Sequence, residues 1–516
     1  MDARTVICLL WELYVTNVAE RAEQREKRRF GYLCDEAACV SRAVTYPHTA
    51  SWASWWDRMW RRANGRFFRM DLAAWDDAVD VVRLGSDARE ESSSAPGTLA
   101  VIASDPIPAG HVIARIPCKV LLCARHSALS HHPAFQNVQA SLTPVLSLTF
   151  CVLYETELGD ASKFASYLAL FPDVHLPLAW DPSSDEATWL RGTEASRMLR
   201  RQEHAWSAGY KYIGTSYAEL RHVWHTIGER IMLEALGVRV SWAAFMRAFS
   251  SVSSRAFVVD LYHGLSMVPF ADLLNHGAPN NAQIESDVDA YSAEMGGTVD
   301  VRAIDSIDPG EEVLNSYGEL GNAELLCQYG FVLDTKSGWE RCSWDVRVPE
   351  ECTQLCACLE CDAPSIRHVT EPQQPADAQR ASGDDGLPPA YVDAAGGVYD
   401  FAPVSHTNRH DRQCPIFIDA SGRASWVLWR LALGLCSEHV YGYEAASADT
   451  SLLPSHAREA CQRITRLCHA RLSTMYIQHC KDALPSTSSS STLHWAVQHA
   501  WQEWHLLRAC LERYAT

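Results

Sequence analysis

Two short segments that lie far apart in the chain share one pattern, and this pattern restricts the fold more than any other feature. Residues 104–116 read SDPIPAGHVIARI, and residues 304–316 read IDSIDPGEEVLNS. The apolar residues that alternate before the two turns are Leu99, Val101 and Ala103 in one case and Val299, Val301 and Ala303 in the other. Alternation predicts β-strands, and proline with glycine marks the turns between them. We therefore expect one β-rich domain whose two halves are separated in sequence.

The chain between these segments has the periodicity of helices. Apolar residues recur at intervals of three and four in residues 143–158 and 217–236. Gly237 is in position to end the second helix, because glycine accepts the left-handed backbone conformation found there. Ser241 is in position to cap the following helix through its hydroxyl. The sequence predicts an α+β fold in which a helical insert, residues 143–252, splits the β-rich domain.

The C-terminal third is predicted to be helical with two interruptions. Residues 363–413 are rich in proline, aspartate, alanine and glutamine, and residues 485–492 read PSTSSSST. Such compositions are typical of loops or disorder, because they bury too little apolar surface to fold. Residues 424–482 and 493–514 resume a helical pattern. No function is assigned to the N-terminal extension, residues 1–85.

The charge balance limits the classes of partner. The chain carries 45 Lys+Arg against 63 Asp+Glu, a formal net charge of −18. A protein that binds nucleic acid directly would be expected to show the opposite balance. An acidic surface suits a basic protein partner, or it keeps the protein soluble. The apolar run at residues 6–15 is interrupted by Glu12 and is too short to cross a bilayer, so no membrane is expected.

The 18 cysteines are scattered singly, which favours reduced thiols over a disulfide framework. One exception is a group that follows the second β segment, Cys352, Cys356, Cys358 and Cys361. Four thiolates are able to hold zinc tetrahedrally. Reduced thiols without metal are the preferred interpretation of this group, and zinc is the alternative.

Three motifs, read in order, identify a family. They are Ser254-Arg255-Ala256-Phe257, then VPFADLLNHGAPNNAQIE at 268–285, then NSYGELGNAELLCQYGF at 315–331. Together they resemble the SET-domain protein lysine methyltransferases of the Rubisco-methyltransferase-like branch, nearest to the nuclear N-lysine and fungal ribosomal lysine methyltransferases. The resemblance covers roughly residues 97–340 well and reaches the C-terminal region only by order and composition.

The resemblance implies a domain arrangement. The SET domain is expected in two parts, residues 86–142 and 253–340, on either side of the insert. The second part is expected to hold the cofactor and lysine sites. Residues 341–516 are then expected to form a helical substrate-binding domain with flexible segments at 363–413 and 485–492.

The resemblance also implies S-adenosylmethionine as cofactor and names residues that bind it. Asn275 and His276 would contact the cofactor, although a helix cap and a surface histidine are the structural alternatives. Arg255 would pair with the cofactor carboxylate, with Asp272 or Asp260 as alternative partners. Phe164 would stack on the adenine, with ordinary core packing as the alternative.

The cofactor is also expected near the first strand, at Thr98, Leu99 and Ala100. The family usually has a Gly-x-Gly turn there, whereas this chain reads Gly97-Thr98-Leu99-Ala100 with a single glycine. A missing glycine makes close approach of the backbone harder, so the departure bears on cofactor affinity.

By the same resemblance Tyr317 is the catalytic residue and also contacts the cofactor, while Tyr329 and Phe331 form the walls of the lysine channel. Only the neutral amine of lysine is nucleophilic, and burial together with a nearby cation lowers its pKa. No dedicated general base is therefore expected.

The leading interpretation is a protein-lysine N-methyltransferase acting on a basic substrate of the ribosomal or histone type. It is expected in the nucleus or cytoplasm, with the nucleus favoured. Two alternatives stay open: a SET-fold binding module without turnover, and a histidine methyltransferase.

Overall fold

The computed structural model describes residues 74–75, 79–83, 99–207, 216–286, 297–334, 337–363, 366, 391–392, 398–399, 401–402, 416–434, 454–479 and 491–515. All of them belong to one compact unit, residues 52–516. The predictions for residues 1–73, for most of 363–413 and for 485–490 lie outside the described residues.

The β-rich region is built from three small antiparallel sheets. The strands are β1 (Ala74–Trp75), β2 (Val79–Arg83), β3 (Leu99–Ala103), β4 (Val112–Pro117), β5 (Leu122–Cys123), β6 (Ala256–Val258), β7 (Leu265–Met267), β8 (Ala282–Ser286) and β9 (Thr298–Ala303). Their order is β1-β4-β9-β8 in one sheet, β5-β7-β6 in the second and β2-β3 in the third.

The two segments of shared pattern lie side by side. Strand β4 pairs with β9, with Ile116 opposite Val299. The turns meet as well, because Ile107 and Ile307 exchange two backbone hydrogen bonds of 2.9 Å. The alternating residues from both halves form one apolar core. The repeated pattern therefore marks two strands that come from distant parts of the chain and pair in one sheet.

Strands β1 and β2 were not expected. They pair with β4 and β3, so the β-rich region begins before residue 86, the predicted start of the first SET part. The segment VDVVR at residues 79–83 is short and lies close after Asp76 and Asp77, so its apolar residues are too few to predict a strand. Residues 79–83 form a strand by pairing with β3, which is not adjacent to them in the sequence.

The insert is helical, as expected. The helix α1 (Pro133–Gln139) precedes residue 143, the predicted start of the insert. The helices that follow are α2 (Pro144–Glu157), α3 (Ala165–Leu168), α4 (Asp185–Trp189), α5 (Glu194–Ser207), α6 (Tyr217–Val223), α7 (Glu229–Leu236) and α8 (Trp242–Arg255). Gly237 ends α7 with φ 73°, and the Ser241 hydroxyl caps α8 by accepting from the Ala244 N–H at 3.1 Å. Both predicted helix signals are confirmed.

The C-terminal region adds further helices and two small two-stranded sheets. These elements are α9 (Asn322–Tyr329), β10 (Arg341–Ser343), α10 (Pro349–Leu359), β11 (Tyr391–Val392), β12 (Val398–Tyr399), β13 (Phe417–Asp419), α11 (Trp426–Ala432), α12 (Pro454–Thr474) and α13 (Ser491–Arg513). Strand β10 pairs with β13, and β11 pairs with β12. The pair β11–β12 falls inside the segment predicted to be flexible.

The residues on the two sides of the predicted boundary at residue 340 pack together. One apolar core combines Trp189 and Ala195 from the insert, Leu326 from α9, and Trp429 and Leu467 from the C-terminal helices. The fold is α+β, and the insert and the C-terminal helices share this core. Among the described residues no helix is both long and apolar enough to cross a membrane.

Candidate active site

The second and third motifs lie against each other at the centre of the candidate site. The Asn315 N–H donates to the Asn275 carbonyl and the Gly277 N–H donates to the Asn315 carbonyl, both at 2.9 Å. His276 and Asn315 thus form a parallel bridge. A Cβ at Gly277 would lie 2.8 Å from the Cβ of Leu314, so only glycine permits this approach.

The place where residues 275–277 and Asn315 bond to each other is called the Asn275–Gly277 crossing below. Asn275 connects this crossing to strand β3. Its side-chain amide donates to the Leu99 carbonyl at 3.0 Å and to the Glu312 carboxylate at 2.7 Å. Both N–H groups are then used inside the protein, which leaves the amide oxygen as an acceptor. These partners lie in β3 and beside the crossing, so the helix-cap alternative for Asn275 is wrong.

His276 is buried, with 3% of its surface exposed, so the surface-histidine alternative is also wrong. Its Nδ1 accepts a hydrogen bond from the Tyr317 N–H at 3.1 Å. Burial lowers the pKa of His276, so the neutral ring is favoured. A neutral imidazole with an accepting Nδ1 positions the backbone of Tyr317.

Tyr317 lies among aromatic rings. It stacks on His276 with ring centroids 5.2 Å apart and on Tyr329 at 4.6 Å, and the edge of Phe331 lies 6.3 Å away. Its hydroxyl donates to the Leu274 carbonyl at 2.9 Å. Burial raises the pKa of Tyr317 well above its usual value, so the phenol stays protonated. Burial likewise raises the pKa of Tyr329 to about 12.

Arg255 pairs with Asp272, one of the alternative partners predicted for it. The guanidinium Nη1 donates to the Asp272 carbonyl at 2.8 Å and lies 3.4 Å from its carboxylate Oδ2. Tyr167 donates to the same Oδ2 at 2.9 Å. The second oxygen, Oδ1, is buried and finds no donor among the described residues. Asp260, the other predicted alternative, pairs with His263 instead.

A sharp backbone turn places Asp272. Phe270 has φ 73° and ψ −50°, close to the values of a γ-turn with positive φ. For a residue other than glycine this costs about 1–3 kcal/mol, and such strain tends to occur at functional sites. The turn brings Asp272, which stands in the apolar run PFADLL, to the site. A single carboxylate in an apolar run was the sequence signal for this residue.

A cavity of about 490 Å³ opens between strand β6, strand β8 and residues 315–317. Arg255, Asp272, Tyr317 and Tyr329 contribute to its wall. His276 and Phe331 are outside the wall and contact it through the ring of Tyr317. The wall combines the Arg255–Asp272 pair, whose charges offset each other, with two tyrosine faces, which favour a cationic ligand.

The remaining predicted residues divide into three cases. Leu99 contributes its carbonyl to Asn275, and its neighbour Ala100 is fully buried in β3. Thr98 lies outside the described residues. Phe164 is 2% exposed in the core of the insert, with Lys163 over its ring at 4.8 Å. Its ring is not part of the cavity wall, and this position matches ordinary core packing and not the predicted adenine stack.

The cysteine group is spread along α10 and the two residues after its end. Cys352, Cys356, Cys358 and Cys361 do not form a convergent ligand group in the part of the chain that the structure describes. Cys352 is buried and the other three are half-buried. Cys356, Cys358 and Cys361 pack against the C-terminal core.

Comparisons with known proteins agree with the motifs. Residues 98–318 match the SET domain family. The chain is 27% identical over 261 residues to the N-lysine methyltransferase SETD6 of Homo sapiens, covering 48% of this chain and 52% of that protein. The Rattus norvegicus protein of the same name is 27% identical over 247 residues, covering 46% and 49%. The chain thus spans about half the length of the curated relatives it matches.

A solved structure shares the fold. The SET domain of LSMT, crystallised with lysine and AdoHcy, superposes with a TM-score of 0.54 at 16% identity. The match covers 90% of this chain and 92% of that chain, so it extends well beyond the β-rich region.

Proposed function

Since residues 98–318 of this chain are a SET domain, we propose that the protein is a protein-lysine N-methyltransferase that uses S-adenosylmethionine. The curated relatives are named N-lysine methyltransferases, and the similar solved domain is described as bound to lysine and AdoHcy. The observation that carries the proposal is the convergence of Tyr317, Tyr329 and Asp272 on one cavity, next to the Asn275–Gly277 crossing.

The residues at the cavity fit a cationic cofactor and a lysine. Asp272 supplies a carboxylate whose Oδ1 has no donor among the described residues, and an unpaired buried acceptor favours a positively charged neighbour. Asn275 is outside the cavity wall, but its carbonyl is bonded to Asn315, which is in the wall. Asn275 offers its amide oxygen, because both of its N–H groups are already bonded. When bound, S-adenosylmethionine supplies an electrophilic methyl group on a sulfonium cation.

The chain's own residues orient the reaction. The Tyr317 O–H donates to the Leu274 carbonyl, so the lone pairs of its oxygen are left as acceptors. An acceptor at this position orients the incoming amine and the polarised methyl group. The stacked rings of Tyr317 and Tyr329 exclude water and lower the pKa of the lysine by desolvation. Catalysis then rests on positioning and electrostatics, without a dedicated base.

Cofactor binding by the full-length chain tests the proposal, with Asn275→Ala as the diagnostic variant. A lost hydrogen bond to a charged ligand costs about 1.5–3 kcal/mol, so we expect its dissociation constant to rise about tenfold or more. Asn281→Ala is the matched control, because Asn281 bonds to the Glu312 carbonyl and the Leu314 N–H at 2.9 and 2.8 Å. We expect both variants to melt earlier and only Asn275→Ala to bind the cofactor more weakly in calorimetry.

Equal cofactor affinity in the two variants would assign Asn275 a purely structural role. Absence of cofactor binding by the wild-type chain would instead favour the binding module without turnover. The reaction itself is tested by transfer of a tritiated methyl group into a lysate from cells lacking the protein. Mass spectrometry then locates the label: lysine supports the proposal and histidine replaces it with the histidine alternative.

We further propose that the substrate is a basic protein of the ribosomal or histone type and that the nucleus is the favoured compartment. The net charge of −18 supports a basic partner through long-range attraction. Nuclear residence rests on the family resemblance, and imaging of the tagged full-length chain in living cells tests it.

Association with the substrate is expected to depend on salt. The Debye length falls from about 30 Å at 0.01 M ionic strength to about 8 Å at 0.15 M, so attraction between opposite net charges is screened. We expect the association rate constant to fall several-fold over this range in stopped-flow measurements, while cofactor affinity changes little. A rate constant that is independent of salt would argue against a basic substrate.

A further inference from the structure

Three residues with metal-binding side chains converge at the tip of the β6–β7 hairpin. Cys118, Asp260 and His263 each offer one ligand atom, and these atoms lie within 4.8 Å of one another. Cys118 follows strand β4 directly, whereas Asp260 and His263 belong to the turn between β6 and β7. Cys118 and His263 are 6% and 8% exposed, so the group is largely shielded from water.

A fourth side chain of suitable chemistry is next to them. The ring of His126 meets the ring of His263 edge to face, with centroids 5.3 Å apart. His126 Nδ1 lies 2.9 Å from the Leu121 carbonyl and must carry the hydrogen to make that bond. Its Nε2 therefore holds the lone pair.

The carboxylate of Asp260 is already oriented by its own turn. Its Oδ1 accepts from the N–H groups of Tyr262 and His263 at 2.8 and 2.6 Å. Its Oδ2 lies 2.7 Å from His263 Nδ1, so a proton is shared between two potential ligand atoms. Outer hydrogen bonds of this kind fix ligands in metal sites. A metal ion would replace the shared proton and leave the two backbone bonds intact.

The charges also suit a divalent cation. A Cys118 thiolate and the Asp260 carboxylate together supply two negative charges, and the histidines supply neutral nitrogens. Arg125 is a nearby cation, but its guanidinium lies over the Tyr262 ring at 4.5 Å and donates to the Tyr262 carbonyl at 2.8 Å. Sulfur, imidazole and carboxylate ligands in one small group are typical of zinc and of cobalt in its place.

We propose that Cys118, Asp260 and His263, beside the ring of His126, form a binding site for a zinc-type divalent metal. The site would tie the end of β4 to the tip of the hairpin whose strand β6 lines the cavity. Its role is structural: it fixes one wall of the cavity and takes no part in methyl transfer.

Cobalt titration tests the site in the full-length protein. After metal is removed with a chelator, Co(II) should bind with one equivalent that shows thiolate-to-cobalt charge-transfer absorption in the near ultraviolet. Cys118→Ala should lose that equivalent, and Zn(II) should raise the melting temperature of the wild type but not of this variant. Cys123→Ala is the matched control, since Cys123 is equally buried in the adjacent strand β5 and is not in the group.

A second measurement needs no variant. Zinc X-ray absorption of the wild-type protein should show one sulfur at about 2.3 Å and three nitrogen or oxygen ligands. A shell with several sulfurs, or with none, would overturn the proposal. So would a cobalt charge-transfer band that persists unchanged in Cys118→Ala. Neither measurement depends on methyl transfer, so failure of this site and failure of the proposed activity are distinguishable.

Discussion

Tyr317→Phe is expected to slow methyl transfer by about 10²–10³-fold, by analogy with the loss of one preorganised polar group from an oxyanion hole. The change keeps the ring, its stacking on His276 and Tyr329, and the shape of the cavity wall. It removes the one oxygen whose lone pairs are left to orient the methyl group and the amine. Because this contact matters in the transition state, kcat should fall while cofactor affinity stays within a few-fold.

The same variant also loses a hydrogen bond within the protein. The Leu274 carbonyl no longer receives the Tyr317 O–H, which costs about 0.5–1.5 kcal/mol of stability. Tyr514→Phe is the matched control for this effect, because the Tyr514 oxygen accepts from the Ala424 N–H at 3.0 Å in the C-terminal region. It should melt slightly earlier and methylate at a normal rate.

The two effects separate the catalytic and structural interpretations of Tyr317. A Tyr317→Phe protein that melts earlier and keeps its turnover within a few-fold of wild type would remove Tyr317 from the reaction. That result would also weaken the enzymatic proposal, since no other hydroxyl in the predicted set occupies the same place between the two motifs.

Local signals in the sequence were sufficient for the helical insert and for the two-part β domain. A cap at Ser241 and a stop at Gly237 depend on residues within one helical turn, and the structure has both. The turns at Gly110 and Gly310 have φ of 82° and 92°, values that favour glycine. Such features are readable because their causes lie in adjacent residues.

Contacts between residues that are distant in the sequence could not be predicted from such local signals. Strands β1 and β2 are defined by partners that lie well downstream in the chain. Phe164 satisfies an aromatic motif by its position in sequence, yet its ring turns into the core of the insert. The sequence likewise suggested Asp272 as a partner of Arg255, but not the Tyr167 hydroxyl that donates to the same carboxylate oxygen. Pairings of this kind depend on the assembled fold.

The feature that is hardest to predict from the sequence is a buried ionic group that joins three regions. Glu194 of α5 accepts from Arg197, from the backbone and hydroxyl of Ser343 at 2.9 and 2.6 Å, and from Arg471 at 3.2 Å. Its own N–H donates to Glu503 at 2.5 Å. Burial raises the pKa of Glu503 to about 7, although the Arg471 guanidinium acts in the opposite direction. The group links the insert, strand β10 and helices α12 and α13.

Glu194→Ala should therefore destabilise the protein by about 3–5 kcal/mol, the usual cost of removing one partner from a buried ion pair. Arg197 and Arg471 are 0% and 4% exposed and would lose a carboxylate that water cannot replace. Glu229→Ala is the matched control, because Glu229 forms an exposed pair with His225 and no buried one within the described part of the chain. Exposed pairs contribute about 0–1 kcal/mol, so its unfolding midpoint in urea should hardly move.

The comparison of Glu194→Ala with Glu229→Ala also decides how the substrate-docking role of residues 341–516 is tested. If Glu194→Ala lowers the midpoint of one transition that includes both the insert and the C-terminal helices, the two regions unfold together. A truncation at residue 340 would then expose the shared core, and its loss of activity would report unfolding and not lost docking. Surface substitutions on α12 or α13 that leave the melting curve unchanged would be the valid test. A shift no larger than that of Glu229→Ala would show instead that the C-terminal helices are separable.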